Sequence, residues 1–398
     1  MKLKKAALSS QALLVFALVS CAGGNHVPLD SEAYVKTLDY SDSFRILQLT
    51  DIHWNFLTDM EASEAYLDVV VRSTHPDLIV ITGDQCLDIN AQMLTRLYEH
   101  FPTWGIPYAI LWGNHDWQGT FSRNLPPRLA KLGGDLSLYT EVNDDVMGRS
   151  NYVINLDQGG VTKWQVYCFD DNAYEYVKSS PMEVRYEYIH DDQVAWYEAQ
   201  VAKAGNVPNI SYMHMPQWEW VYEYAKRPEA QTGDRVGDIG TINETSTYSV
   251  PGLTGESFTI GATTIEIPED GVPFWPGDSG SKIVKSGQAH NMKAIQVGHD
   301  HANDWGVSYD GINDDETPIF LGYGVKSGNG LYCARGKHNG VDYDISGGAI
   351  TILHDDGSYE IEHRYFSVST NVQAPFYQKI AFDSANEIIE AQTGWFNL

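Results

Sequence analysis

The feature that most constrains this chain is a repeated pairing of short apolar runs with polar blocks at their ends. Phe44-Arg45-Ile46-Leu47-Gln48-Leu49-Thr50 leads into Asp51-Ile52-His53, and Leu78-Ile79-Val80-Ile81-Thr82 into Gly83-Asp84. Pro107 to Trp112 leads into Gly113-Asn114-His115-Asp116, Asn209 to Met213 into His214, and Met292 to Val297 into Gly298-His299-Asp300-His301. Compact apolar runs rich in β-branched residues predict strands buried on both faces. Residues 60–74 and 91–100 predict helices between the first three runs, so the order is βαβαβ, a parallel sheet covered by helices. In such a sheet ligands bind beyond the carboxyl ends of the strands. All five blocks should therefore meet along one edge.

The rest of the chain extends this pattern. Two more strands are predicted within 150–170, a helix over 191–204 with an apolar stripe of Val194, Trp196, Tyr197 and Val201, and strands near 305–310, 317–321, 347–353 and 359–366. A closing helix is expected over 382–391. Residues 216–289 are rich in Gly, Pro, Ser and Thr, with Trp218, Trp220, Phe274 and Trp275 among them. That stretch predicts a long insertion capping a site, since loops of such length inside a domain usually serve function.

The five blocks carry carboxylate, amide and imidazole groups. Hard oxygen and borderline nitrogen donors suit Zn, Fe, Mn or Ni better than an ion seeking thiolates, and two cations need a bridging ligand such as a carboxylate. One block alone is a weak signal; five in order, each after a strand, are a strong one.

In these blocks, and in the longer phrases Leu47 to His53 and Trp112 to Asp116, the chain resembles the calcineurin-like metallophosphoesterase superfamily over residues 44 to 354. The resemblance implies an α/β fold, a four-layer α/β/β/α sandwich of two mixed sheets. It implies two divalent or mixed-valence metal ions (Fe, Mn or Zn), the first held by Asp51, His53, Asp84 and His301, the second by Asp84, Asn114, His214 and His299. Asp84 is then the bridge. His115 is implied as the group that faces substrate and protonates the leaving oxygen, and Asp116 as a catalytic partner that orients it. The reaction that the resemblance implies is metal-assisted hydrolysis of a phosphomonoester by an activated water between the metals. Gly83-Asp84-Gln85-Cys86-Leu87-Asp88 departs from the GDxxDRG of serine/threonine protein phosphatases, and Leu87 stands where purple acid phosphatases carry a tyrosine. Gly298 to Trp305, with Gly322-Tyr323-Gly324, resembles instead a non-purple branch related to acid-phosphatase-like proteins. Three other readings use the same residues: a phosphodiesterase on nucleotides or lipid head groups, a surface-anchored metal-bearing binding protein without turnover, and a two-domain nucleotidase, which the short chain after residue 354 disfavours.

Composition narrows the partners. With 53 acidic against 26 basic side chains the formal charge is −27, which repels a polyphosphate backbone and makes nucleic acid an unlikely partner. The expected partner is a small phosphorylated substrate; nothing in the sequence sets the oligomeric state. Met1-Lys2-Leu3-Lys4-Lys5 and the apolar run Ala6 to Ser20 predict a signal peptide over residues 1–20. Leu18-Val19-Ser20-Cys21 resembles a bacterial lipobox, which implies a lipid on Cys21, export and anchorage at the cell envelope. Residues 21–43 would be a tether, 44–366 the catalytic domain and 367–398 an extension packed on it. Cys86, Cys168 and Cys333 remain, too few for a disulfide framework. Asn243-Glu244-Thr245 matches a glycosylation sequon and Gly277-Asp278-Ser279-Gly280 a protease-like phrase, but neither has a supporting context.

Overall fold

The computed structural model describes residues 27–396 apart from 88–90, 118–123, 143–145, 177–183, 226–234, 237, 243–280, 312–315, 330–333, 339–340 and 367–374. The signal peptide, Cys21, Cys333, the sequon and the protease-like phrase lie outside the described residues.

Two seven-stranded sheets form the frame. The first runs, in spatial order, Ile388–Trp395, Phe376–Phe382, Tyr359–Tyr365, Gly347–Leu353, Phe44–Leu49, Leu78–Thr82 and Tyr108–Leu111. The second runs Val35–Asp39, Tyr152–Gln158, Val161–Cys168, Asn209–Tyr212, Met292–Val297, Ile319–Tyr323 and Gly306–Tyr309. Both are mixed. Phe44–Leu49, Leu78–Thr82 and Tyr108–Leu111 are mutually parallel in the first. Val161–Cys168, Asn209–Tyr212, Met292–Val297 and Ile319–Tyr323 are parallel in the second.

Side-chain alternation shows why the sheets stack. In the first sheet Ile46, Leu78 and Val80 face the second sheet and pack with Ile154, Val166, Ile210 and Ala294. Their chain neighbours Leu47, Ile79 and Ile81 face the other way. There they meet Leu67 and Val70 of helix α1 (Met60–Thr74) and Met93, Leu94 and Leu97 of helix α2 (Ala91–His100). A strand with both faces buried is apolar along its length, as Leu78 to Ile81 are, and the Thr82 hydroxyl at its end is satisfied by the Gln48 amide. The outer face of the second sheet packs on α3 (Asp191–Ala204) through Trp196, Tyr197 and Val201, and on the helix Lys282–Ala289 through Ile283 and Val284. The layers are thus helix, sheet, sheet, helix, as the resemblance implied.

Three boundaries differ from expectation. The tether predicted through residue 43 is partly built into the fold: Val35–Asp39 pairs in parallel with Tyr152–Gln158 from Val35 opposite Val153, and Gln200 Nε2 donates to the Leu29 carbonyl at 2.7 Å. The closing helix at 382–391 is instead a hairpin joining Phe376–Phe382 to Ile388–Trp395 as the sheet's last two strands. Asp383 Oδ1 accepts the Ala385 and Glu387 amides at 2.9 Å each and Asn386 sits at φ 71°, so a turn outcompetes helix where β-branched Ile388 and Ile389 follow. Finally, the 216–289 stretch has core ends. Helix Trp218–Ala225 buries Trp220, and Glu219 accepts from both the backbone N–H of Ser281 (2.6 Å) and its hydroxyl (2.5 Å), tying that helix to the start of Lys282–Ala289.

Candidate metal centre

The parallel strands of both sheets release their blocks at one edge. Gln48 links the sheets there: its side-chain amide donates to Val297 O at 3.0 Å and to Thr82 Oγ1 at 2.9 Å. The turns after the strands are tight enough that non-glycine residues take left-handed backbone, Asp51 at φ 52°, His53 at 54°, Asp84 at 52° and His299 at 75°. Such conformations cost free energy and persist where surrounding structure enforces them, often at functional sites. Glycines make room. A Cβ on Gly83, itself at φ 91°, would come within 2.5 Å of His214 Nδ1, and one on Gly298 would strike Thr50 Oγ1 and lie 2.9 Å from Asp51 Oδ2.

The predicted ligands converge in two groups sharing one residue. Asp51, His53, Asp84 and His301 offer ligand atoms all within 4.8 Å of one another, and so do Asp84, His214 and His299. His53 Nε2 lies 3.5 Å from both Asp51 Oδ1 and Asp84 Oδ2; His301 Nε2 lies 3.6 Å from Asp51 Oδ1. In the second group His214 Nε2 is 3.4 Å from Asp84 Oδ2. Asn114 Oδ1 completes it, 3.2 Å from His214 Nε2 and 3.1 Å from His299 Nδ1. All seven expected ligands are therefore brought together. Asp51 Oδ1 and Asp84 Oδ2 are buried and accept no hydrogen bond. Carboxylate oxygens are seldom left so unless a cation satisfies them, so the donor set fits metal ions.

Hydrogen bonds aim the ligands. His214 Nδ1 donates to Thr82 O at 2.7 Å, which leaves the Nε2 lone pair facing Asp84, the arrangement metal-bound histidines adopt. Thr50 Oγ1 donates to Asp51 Oδ2 at 2.6 Å, and the His299 amide donates to the same oxygen at 3.0 Å. Burial pushes the His214 imidazolium toward losing its proton, but the Asp84 carboxylate prevails and holds it up to about 10. Burial likewise raises the Asp51 carboxyl, yet the His53 imidazole beside it and the charges of His301 and His214 leave it below the usual range. His299, by burial and by repulsion from His214, falls to about 3. Sites that hold protons this way exchange them for metal ions.

Two expected roles resolve differently. His115 sits at the open side of the site with its side chain 23 % exposed, Nε2 3.9 Å from Asp84 Oδ2, and its backbone N–H donates to Asp84 Oδ1 at 2.9 Å. Asp116, expected as its catalytic partner, points elsewhere. Its buried carboxylate accepts the amides of Asp84 (2.8 Å), Gly113 (2.8 Å) and Gln85 (3.0 Å), so it fastens two ligand loops to each other. Burial and the neighbouring Asp84 charge push its carboxyl up to about 7. A short helical turn over His115–Trp117 rotates adjacent side chains apart, which is why sequence adjacency misled. Sequence reading also passed over Asp171, buried and accepting the Met215 amide just after His214, and Lys326, whose ammonium donates to the Asp51 carbonyl at 2.7 Å. Both lie in loops without a ligand motif.

A family model described as calcineurin-like phosphoesterase matches residues 44–303. The chain belongs to that family. Among relatives of this phosphoesterase-family chain, the probable inactive purple acid phosphatase 29 of Arabidopsis thaliana is 22 % identical over 329 residues, covering 75 % of this chain and 77 % of the relative. Phosphatase DCR2 of Saccharomyces cerevisiae is 25 % identical over 331 residues; 75 % of this chain is covered, but it spans only half of that longer protein. The glycerophosphodiester phosphodiesterase GpdQ of Enterobacter lignolyticus is 25 % identical over 143 residues, 35 % of this chain and 42 % of GpdQ. Leu87 stands three residues after Asp84, and His53 Nε2 lies beside both Asp51 and Asp84.

Proposed function

We propose that this protein hydrolyses phosphomonoesters with two metal ions (Fe, Mn or Zn) that share Asp84. The observation carrying the proposal is the position of Asp84 Oδ2, 3.5 Å from His53 Nε2 and 3.4 Å from His214 Nε2, one oxygen common to both ligand groups. When bound, such ions make water a nucleophile at neutral pH and offset charge on the phosphoryl oxygens. The protein's own residues do the rest. Asp51, His53 and His301 would hold the first ion with Asp84; Asn114, His214 and His299 the second. His115, the partly open imidazole beside them, would give a proton to the departing alkoxide. Asp116 keeps the two loops in register.

The relative named as a phosphatase supports a monoester substrate, and the one named as a diesterase makes diesters the arm to test against. Although the Arabidopsis relative is named inactive, each ligand position expected in this chain is filled, which supports turnover. The proposal extends to location: the Lys-rich start, the apolar run and Cys21 support export and a lipid anchor at the envelope, where a small phosphate ester would be the substrate.

Elemental analysis of protein loaded with Mn, Zn or Fe, paired with p-nitrophenyl phosphate and its bis-ester, tests the reading. Two metal equivalents and faster monoester cleavage are expected, with both metal and activity lost in Asp84→Asn. Full activity in that variant would refute the shared-ligand role, and metal-loaded protein that cleaves neither ester would leave a binding protein in place of an enzyme.

A further inference from the structure

We infer that Lys326 is a positioning residue for the first ligand group, fixing the Asp51–His53 turn in the shape that ligates. The inference rests on the metal-site reading above. Lys326 is 1 % exposed, and an ammonium that deep is costly unless well hydrogen-bonded. It donates to the Asp51 carbonyl at 2.7 Å, the peptide between the two left-handed ligands Asp51 and His53.

The segment bearing it is itself clamped to that strand end. Thr50 and Lys326 form a parallel bridge. The Thr50 amide donates to Ser327 Oγ at 3.0 Å, the Ser327 amide to Thr50 O at 2.7 Å, and the Gly347 amide to Lys326 O at 2.8 Å. Gly328 clears the space: a Cβ there would strike Ile52 O and lie 2.8 Å from Lys326 Nζ. A strained turn carrying two ligands is thus held from behind by a fixed, charge-assisted donor. The Asn114 loop is held by an acceptor instead, its Gly113 amide donating to Asp116 Oδ2 at 2.8 Å.

Charge and position predict opposite results when Lys326 is removed. As a cation beside cations it would repel them, so losing charge alone would tighten binding. Losing the clamp loosens the first site. Lys326→Met and Lys326→Arg are made in the full chain, alone and with Asn114→Ala, which cripples the second group. Mn²⁺ and Zn²⁺ binding is followed by calorimetry and the metal-free proteins are melted in parallel. Lys326→Met should weaken one binding step by about 10- to 100-fold, the scale for losing a group that orients a ligand. The same step should weaken in the Asn114→Ala background, the metal-free melting temperature should hold, and Lys326→Arg should recover affinity. Unchanged or tighter binding would overturn the inference, as would equal weakening of both steps with a lower melting temperature. Should Lys326→Met not fold, Lys326→Leu, which likewise removes the donor, is judged by the same criteria. A parent protein that takes up no metal would sink the metal-site reading instead.

Discussion

Replacing Gly113 by alanine puts one methyl group into the most crowded part of the site. Its Cβ would strike Asp84 Oδ1 and lie 2.7 Å from His214 Cε1, where ordinary contact begins at 3.4 Å. The His214 ring would therefore have to retreat by roughly 0.7 Å, with an energetic cost on the order of 1–3 kcal/mol for overpacking. Neither neighbour yields freely: Asp84 Oδ1 accepts the His115 amide and His214 Nδ1 donates to Thr82 O. Because Asp84 serves both ligand groups, both should suffer, and a misplacement near 1 Å costs about 100-fold in rate. The expected outcome is substoichiometric metal by elemental analysis and kcat/KM down by about 100-fold. Gly205→Ala is the control. It stands at φ 80° with nothing within 4 Å of its Cβ, so it should lower the melting temperature by backbone strain while keeping metal and rate. If Gly113→Ala binds both ions and turns over like the parent, crowding does not set the ligand geometry.

Two further outcomes follow from the same geometry. His115→Ala should keep its metal and lose about 10²- to 10⁴-fold in kcat on alkyl phosphates, with a much smaller loss on p-nitrophenyl phosphate, whose leaving group needs no proton; equal losses on both would remove His115 from the proton-donor role. His363 is fully buried, and burial pushes its imidazole from 6.5 down to about 3 in the folded protein. Below pH 6.5 the unfolded chain gains a proton that the fold refuses, so stability falls as pH drops through the window from 6.5 to about 3. Urea denaturation at pH 7.5 and pH 5 should show a smaller acid loss in His363→Leu than in the parent, and an identical loss would rule His363 out as a contributor.

Much of the candidate site was legible because its ligands follow buried strands. Asp51, Asp84, Asn114, His214 and His299 each come within a few residues of a strand end, and parallel strands deliver their carboxyl ends to one edge whatever the loops do. The helices α1, α2 and α3 were legible for a similar reason, being long and periodic. Asp116 was misread because chain adjacency says nothing about side-chain direction in a helical turn. The 382–391 hairpin was misread as helix because its turn chemistry, centred on Asp383 and Asn386, was outweighed by a loose apolar periodicity.

The sequence by itself determined which residues could ligate and that strands would carry them, since both follow from local residue type and period. Only the tertiary structure decided that Asp116 and Lys326 work through backbone groups and that Val35–Asp39 belongs to the second sheet. Those are contacts between residues far apart in the chain, and no local preference encodes the distance between them.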